Sequence, residues 1–471
     1  MQLLANGLEA EDKWMVTAGD IQCAFLTGGY LSRGEDLFLH QPRTGFPGLL
    51  PGQLGGMGKA RVSYHGKEYA FEQCALDPCI FVLREHCQGK FSGKPIGYVG
   101  SHVDDLLIVA GRKVNKLIQE ALSRAFPIEK WEENHLDYIG SEIICGDDEV
   151  IVTQRKYAET RLFDLEIPKG VSEEDLAGPD LIADNQSLIG ALSWLSAQTR
   201  PDLTCSVSLA QQLQKAPTIA DVKFTNLISA RAVLYKDEGL RFRPIPDEHF
   251  GVIVYHDAAW ANAILEDEAD DYFKLTPEDH EAGLQKEGPF GTNRERKAKR
   301  MNSKVASQVG TLIVFADMRC VKGDAGNFSI GDWRSRGGQY MRSFIETLKE
   351  GALVRVEHAR AHILCLSDCR SLFDHIHKQG IPRVPTDRRL AIDLAALRQG
   401  LRSERWSDKL PLGWVPSNLQ HGDVLTKPTD PKGWWEVQHG RLSVAKSTTI
   451  LIEREPVWST KCVSDNLAVI V

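Results

Sequence analysis

Two adjacent aspartates interrupt an apolar stretch, Tyr98-Val99-Gly100-Ser101-His102-Val103-Asp104-Asp105-Leu106-Leu107-Ile108-Val109-Ala110-Gly111. Strand-forming residues on both sides predict a hairpin with Asp104 and Asp105 in the turn between two buried strands. Neighbouring carboxylates repel, and holding both half-buried is costly. A divalent cation removes that cost by supplying the opposite charge. The alternative is an ordinary Asp-rich turn, since aspartate also favours turns by bonding to nearby backbone. A further carboxylate, Asp20, stands at a strand end just before the apolar run Ile21-Gln22-Cys23-Ala24-Phe25-Leu26.

Three more aspartates occupy comparable places far along the chain. The apolar segment Phe250 to His256 leads directly into Asp257, and Ala361 to Leu366 leads to Ser367-Asp368. Asp423 falls on a short predicted helix. Carboxylates at the ends of central strands are where sites of open α/β sheets form. Helix capping is the alternative role for an isolated aspartate. It would suffice for Asp368 in Ser367-Asp368-Cys369-Arg370-Ser371, but not for Asp257, because a strand runs straight into it.

The elements that must position these groups form a mixed α/β pattern. Strands are predicted near Leu37 to Leu39, over the Asp-Asp hairpin, across Tyr138 to Ile144 and over Val150 to Val152. Apolar residues at 114, 117, 118, 121, 122, 125 and 126 mark one helical face, placed on the back of the hairpin sheet. Gln154 to Leu165 reads as a helix. Residues 168–186, with Pro168, Gly170, Gly178 and Pro179, read as a linker. Helices are then predicted over Ser187 to Ala197, Asp202 to Gln214 and Ala220 to Glu238. From about residue 249 strands alternate with helices, with strands over Gly310 to Phe315, Asn327 to Trp333 and Leu412 to Val415, and a helix over Ser371 to Lys378. The expected organisation is 1–165, a helical connection over 166–245, a further α/β domain over 246–440, and an unassigned tail over 441–471.

The order of these motifs resembles the reverse transcriptase and ribonuclease H region of copia-type retrotransposon Pol polyproteins. The resemblance rests on Asp20 to Leu26, Asp36 to Pro42, Gly45 to Gly48 and the Val103-Asp104-Asp105 hairpin. It continues through Ile189 to Leu195 with Thr199-Arg200-Pro201-Asp202-Leu203, then Tyr255 to Trp260, Leu366-Ser367-Asp368 and His421 to Lys427. It implies an α/β (α+β) fold: a reverse transcriptase palm remnant, a helical connection and a C-terminal ribonuclease H-like domain. It implies Asp20, Asp104 and Asp105 as ligands of two Mg2+ or Mn2+ ions that activate a primer hydroxyl and stabilise the leaving pyrophosphate. It implies a second pair of ions on Asp257, Asp368 and Asp423, activating water and stabilising a leaving 3′-oxygen. The implied partners are an RNA template, a DNA primer or RNA/DNA hybrid, and deoxynucleotides.

The chain departs from the family in four places. His102 replaces the usual tyrosine beside the hairpin. Only about twenty residues precede the Asp20 motif, where the family has a fingers region that grips the nucleotide. Gly55-Gly56-Met57-Gly58-Lys59-Ala60-Arg61 stands where a palm helix should open. After Asp332-Trp333-Arg334-Ser335-Arg336 the chain passes to Gly337-Gly338-Gln339 without the expected catalytic glutamate; Glu346 lies turns too far along. The expectation is an impaired polymerase and ribonuclease H. The alternatives are a catalytically inactive nucleic-acid-binding or scaffold remnant, and a ribonuclease H-fold nuclease acting without a polymerase.

Composition is that of a water-soluble globular chain, with 471 residues, 42% hydrophobic and 25% charged, which predicts about three domains. No apolar run would span a bilayer, and the acidic start, Met1 to Trp14, excludes a signal peptide, so a cytoplasmic or nuclear location is expected. The ten cysteines show no Cys-x-x-Cys pair, which excludes a zinc ribbon and predicts free, mostly buried thiols. A net charge of −8 argues against a broad polyanion-binding surface. Charge is nonetheless segregated: an acidic run around Glu266-Asp267-Glu268 precedes a basic one of Arg294, Arg296, Lys297, Lys299, Arg300 and Lys304. These form either a self-attracting solvated loop or a basic arm for a duplex backbone.

Overall fold

The computed structural model describes residues 1–22, 60–259, 308–322, 324–333, 362–369, 412–417, 420–428, 430–447 and 457–463, with a few single positions between them. The fold is mixed α/β and divides into two compact units, the first holding residues 1–151 and 242–244, the second most of the remainder. The helical block and the later sheet, expected as separate domains, share the second unit. Among the described residues no helix is long and apolar enough to cross a membrane.

The first unit begins with α1 (Gln2–Asn6) and is built on a seven-stranded sheet. Its strands are β1 (Trp14–Ile21), β2 (Arg61–Tyr64), β3 (Lys67–Gln73), β4 (Ile80–Cys87), β5 (Lys90–His102), β6 (Asp105–Gly111) and β7 (Ile128–Glu133). The spatial order is β2-β3-β4-β5-β6-β1-β7, with every neighbouring pair antiparallel. Helix α2 (Arg112–Ala125) lays Val114, Ile118, Ala121 and Leu122 against Leu83, Val99, Leu106 and Ile108, the packing expected from its apolar face. Buried Asn115 ties this helix to β1: it accepts from Thr17 Oγ1 at 2.9 Å and donates to the Met15 carbonyl at 3.3 Å.

The expected strand over Tyr138 to Ile144 is instead a hairpin, β8 (His135–Tyr138) and β9 (Ser141–Cys145). The chain turns at Ile139 and Gly140, with φ +51° and +72°. Two left-handed residues suit the twist of a tight hairpin, but isoleucine is a rare occupant of that conformation.

Strand β10 (Val150–Thr153) leads into α3 (Arg155–Arg161), which stops four residues short of the expected Leu165. The second unit then holds α4 (Pro179–Gln198), α5 (Thr204–Leu213) and α6 (Ile219–Leu234), packed through Leu188, Leu192, Leu195, Val207, Val222 and Ile228. Helix α4 starts inside the expected linker because Pro179 sits at its first turn, where no backbone N–H is needed. Helix α6 starts on a capping box, Thr218 with Asp221. Between α4 and α5 Arg200 is fully buried; it bonds both Asp202 oxygens at 2.8 and 2.7 Å and the carbonyls of Ala232 and Tyr235.

After β11 (Leu240–Phe242) comes a five-stranded sheet: β12 (Phe250–Ala259), β13 (Gln308–Asp317), β14 (Phe328–Trp333), β15 (His362–Ser367) and β16 (Leu412–Trp414). Its order is β14-β13-β12-β15-β16. The first three strands are antiparallel neighbours, and β15 and β16 extend the sheet in parallel with β12. Trp333 Nε1 donates to the Ser196 carbonyl at 3.0 Å, which joins the sheet to α4. Helix α7 (Lys432–Gln438) follows, and the tail, unassigned from sequence, forms an antiparallel hairpin of β17 (Arg441–Ser447) and β18 (Val457–Val463). None of the eight cysteines from Cys74 to Cys369 forms a disulfide, and among these eight only Cys74, Cys205 and Cys320 are buried. The expectation of mostly buried thiols fails because Cys79, Cys87 and Cys369 lie at strand ends and loops; Cys365 is half-buried.

Candidate metal centre

The site is assembled at the exit of the middle strand. His256 pairs with Ser367 across the parallel strands β12 and β15, so Asp257 and Asp368 are the next residues on each. Both strands therefore deliver a carboxylate at the same level. Asp423 arrives from a 3₁₀ turn, His421–Leu425, that sits on β12 and β13.

Two features seat that turn. The Gln420 side chain donates to the His256 carbonyl at 2.9 Å and accepts from Gly422 N–H at 3.1 Å, clamping the turn to β12. On β13, Gly310 stands opposite Asp257, and a Cβ there would lie 2.6 Å from Leu425 Cβ and 2.9 Å from Thr426 Cγ2. The absent side chain at 310 is the space the turn occupies.

One carboxylate oxygen each from Asp257, Asp368 and Asp423 lies within 4.8 Å of the others, the one such group among the described residues. Asp257 is buried, and its Oδ2 accepts a short hydrogen bond from Thr426 Oγ1. Asp368 Oδ2 accepts from Ser417 Oγ at 2.8 Å, and its carbonyl accepts from Trp414 Nε1 at 2.9 Å. Asp423 Oδ2 pairs with Lys427 Nζ at 2.8 Å, and the same ammonium is 3.8 Å from Asp257 Oδ2. Asp423 Oδ1 is buried and has no hydrogen-bond partner. Burial, with the nearby Asp257 charge, pushes the Asp423 carboxyl up to about 6 although Lys427 pulls it down.

This donor set fits a hard divalent cation. Three carboxylates from separate elements converge, one oxygen is left buried without a donor, and oxygen-only ligation suits Mg2+ or Mn2+.

The aspartates of the first unit are arranged differently. Asp105 opens β6 and is the direct cross-strand partner of Asp20 on β1. Val103 and Asp104 form the turn proper, with Val103 at φ +57°, a strained conformation for a β-branched residue. The Asp104 carbonyl accepts from Ile21 N–H at 2.9 Å. Burial, then Asp104 and Asp20, push the Asp105 carboxyl upward. Asp20 and Asp105 line a cleft of about 220 Å³ with Glu129, Lys130, Glu132 and Asp137. Asp20, Asp104 and Asp105 are neighbours, but they do not bring one oxygen each within 4.8 Å of one another, as the second triad does.

Arg294, Arg296, Lys297, Lys299, Arg300, Lys304 and Glu346 lie outside the described residues. Sequence reasoning missed Gly310, Ser417, Gln420, Thr426 and Lys427. The spacing of Asp423 and Lys427, four residues apart, is the one local signal that marks any of them. No protein-family model matches the chain, and no curated protein matches it significantly.

Proposed function

We propose that the chain is a copia-type reverse transcriptase and ribonuclease H remnant whose main surviving chemistry is a divalent-cation site on Asp257, Asp368 and Asp423, directed at RNA/DNA hybrid. The observation that carries this reading is the convergence of three aspartates, widely separated in sequence, at the exit of one mixed sheet. Asp257 and Asp368 follow paired residues of the adjacent parallel strands β12 and β15, which supports a shared role for them. For the first unit, the pairing of Asp20 with Asp105 supports a polymerase ancestry.

With an ion bound, Asp257, Asp368 and Asp423 would be its ligands, and it would supply the charge that activates water and stabilises a departing 3′-oxygen. The protein's own groups prepare that site. Thr426 fixes the rotamer of Asp257, and Ser417 does the same for Asp368. Asp423 holds or releases a proton near neutral pH, because burial and Asp257 raise its carboxyl to about 6. The raised carboxyl makes a competing proton part of the site's behaviour below that pH.

The test is cleavage of an RNA/DNA hybrid by the full chain in Mn2+, beside primer extension on an RNA template. Slow hybrid cleavage that disappears in Asp257→Asn is expected, with little or no extension. Hybrid binding without cleavage would instead favour an inactive nucleic-acid-binding remnant. Extension that survives Asp257→Asn but is lost in Asp104→Asn would shift the function to the first unit.

A further inference from the structure

Lys427 places a cation where the three carboxylates need one. Its ammonium lies 2.8 Å from Asp423 Oδ2 and 3.8 Å from Asp257 Oδ2, and Asp368 adds to the attraction it feels. Its backbone N–H donates to the Asp423 carbonyl at 2.8 Å, so the root of the side chain is fixed one turn beyond Asp423. The side chain is 38% exposed, which leaves the ammonium a path to solvent.

We infer that Lys427 is a tethered competitor of the divalent ion: it neutralises the ion-free triad, and its ammonium must draw back from Asp423 for an ion to settle among the three carboxylates. The inference rests on the metal-centre reading above and concerns the control of that site. Like-charged carboxylates at this spacing repel strongly, so the ion-free fold gains from a built-in cation. The same contact opposes ion entry, since an ammonium 2.8 Å from Asp423 Oδ2 repels a divalent ion arriving at the unpartnered Oδ1 of the same carboxylate. Thr426 is not part of this exchange, because its hydroxyl donates to Asp257 and can stay there with an ion present. The consequence is a site that binds divalent ions weakly and releases them readily.

The test is a titration of the full chain with MnCl2 at pH 8, reading free Mn2+ by electron paramagnetic resonance. Lys427→Gln and Lys427→Met should bind Mn2+ about tenfold more tightly than wild type, and Lys427→Arg should bind like wild type. A purely structural lysine predicts the opposite, a melting temperature lowered with no gain in affinity. Equal or weaker binding by both neutral variants, with wild-type binding abolished in Asp257→Asn, would overturn the inference and leave the metal centre standing. No binding by wild type or by any variant would remove the metal centre, and the inference with it. A second measurement needs no variant: acetic anhydride labelling of Lys427, read by mass spectrometry, should rise at saturating Mn2+. Labelling that stays constant while Mn2+ binds means the ammonium never leaves, and refutes the competition.

Discussion

Replacing Gly310 with alanine should damage the candidate metal centre although it removes no ligand. The new Cβ would meet Leu425 Cβ at 2.6 Å and Thr426 Cγ2 at 2.9 Å. Carbon atoms pack at about 3.5–4.0 Å, so the overlap is about 1 Å. Neither neighbour can yield by rotating a flexible tip: Leu425 Cβ is fixed to its backbone, and Thr426 is fully buried. The 3₁₀ turn must therefore lift from β13 and carry Asp423 with it. Overpacking of this kind costs about 1–3 kcal/mol. Urea denaturation should show that loss, and the rise in melting temperature caused by Mn2+ should shrink or vanish. Gly190→Ala is the control, since its Cβ meets nothing within 4 Å in helix α4 and should be neutral or stabilising. If Gly310→Ala melts like wild type and keeps the full Mn2+ response, the seating of the turn has been misassigned.

Other outcomes follow from the same structure. Arg200→Ala should destabilise the second unit by about 3–5 kcal/mol in urea, because it strands buried Asp202 and two backbone carbonyls. Asp105→Asn should stabilise the first unit by roughly 0.2–1 kcal/mol at pH 7, because Asp20 and Asp105 face each other as like charges across adjacent strands. Mn2+ affinity should climb as pH rises through about 6 and level off above it, as Asp423 gives up its competing proton. For the ion-free protein the sign is reversed. Between the ordinary carboxylate range and about pH 6 the folded state holds more protons than the unfolded one, so the stability contributed by Asp423 falls as pH rises; a melt series over pH 4.5–7.5 in chelator reads it.

The strands that carry Asp257 and Asp368 were legible because each is an apolar run ending in a carboxylate, and β12 and β15 follow those runs closely. The amphipathic face of α2 was legible for the same reason, a clean helical period. The turn at Ile139-Gly140 was not, because isoleucine carries no turn signal and adopts positive φ only under the constraint of the hairpin. The first two turns of helix α4, ahead of the expected Ser187, were hidden by Gly178 and Pro179, which mark a linker or a helix start equally well. Within the site, the three aspartates could be named from sequence but the groups that hold them could not. Thr426 reaches Asp257 across 169 residues of chain, and Gly310 matters only because another turn rests on it. Such roles are set by tertiary contact and leave no local pattern.

The most direct test of the central claim is the melting temperature of the full chain in chelator and in millimolar Mn2+, for wild type and Asp257→Asn. An ion that binds only the folded triad stabilises it by mass action. The account predicts a concentration-dependent upward shift in wild type that is absent from Asp257→Asn. An unshifted wild type, or an equal shift in both proteins, would show that Asp257, Asp368 and Asp423 do not form a metal centre.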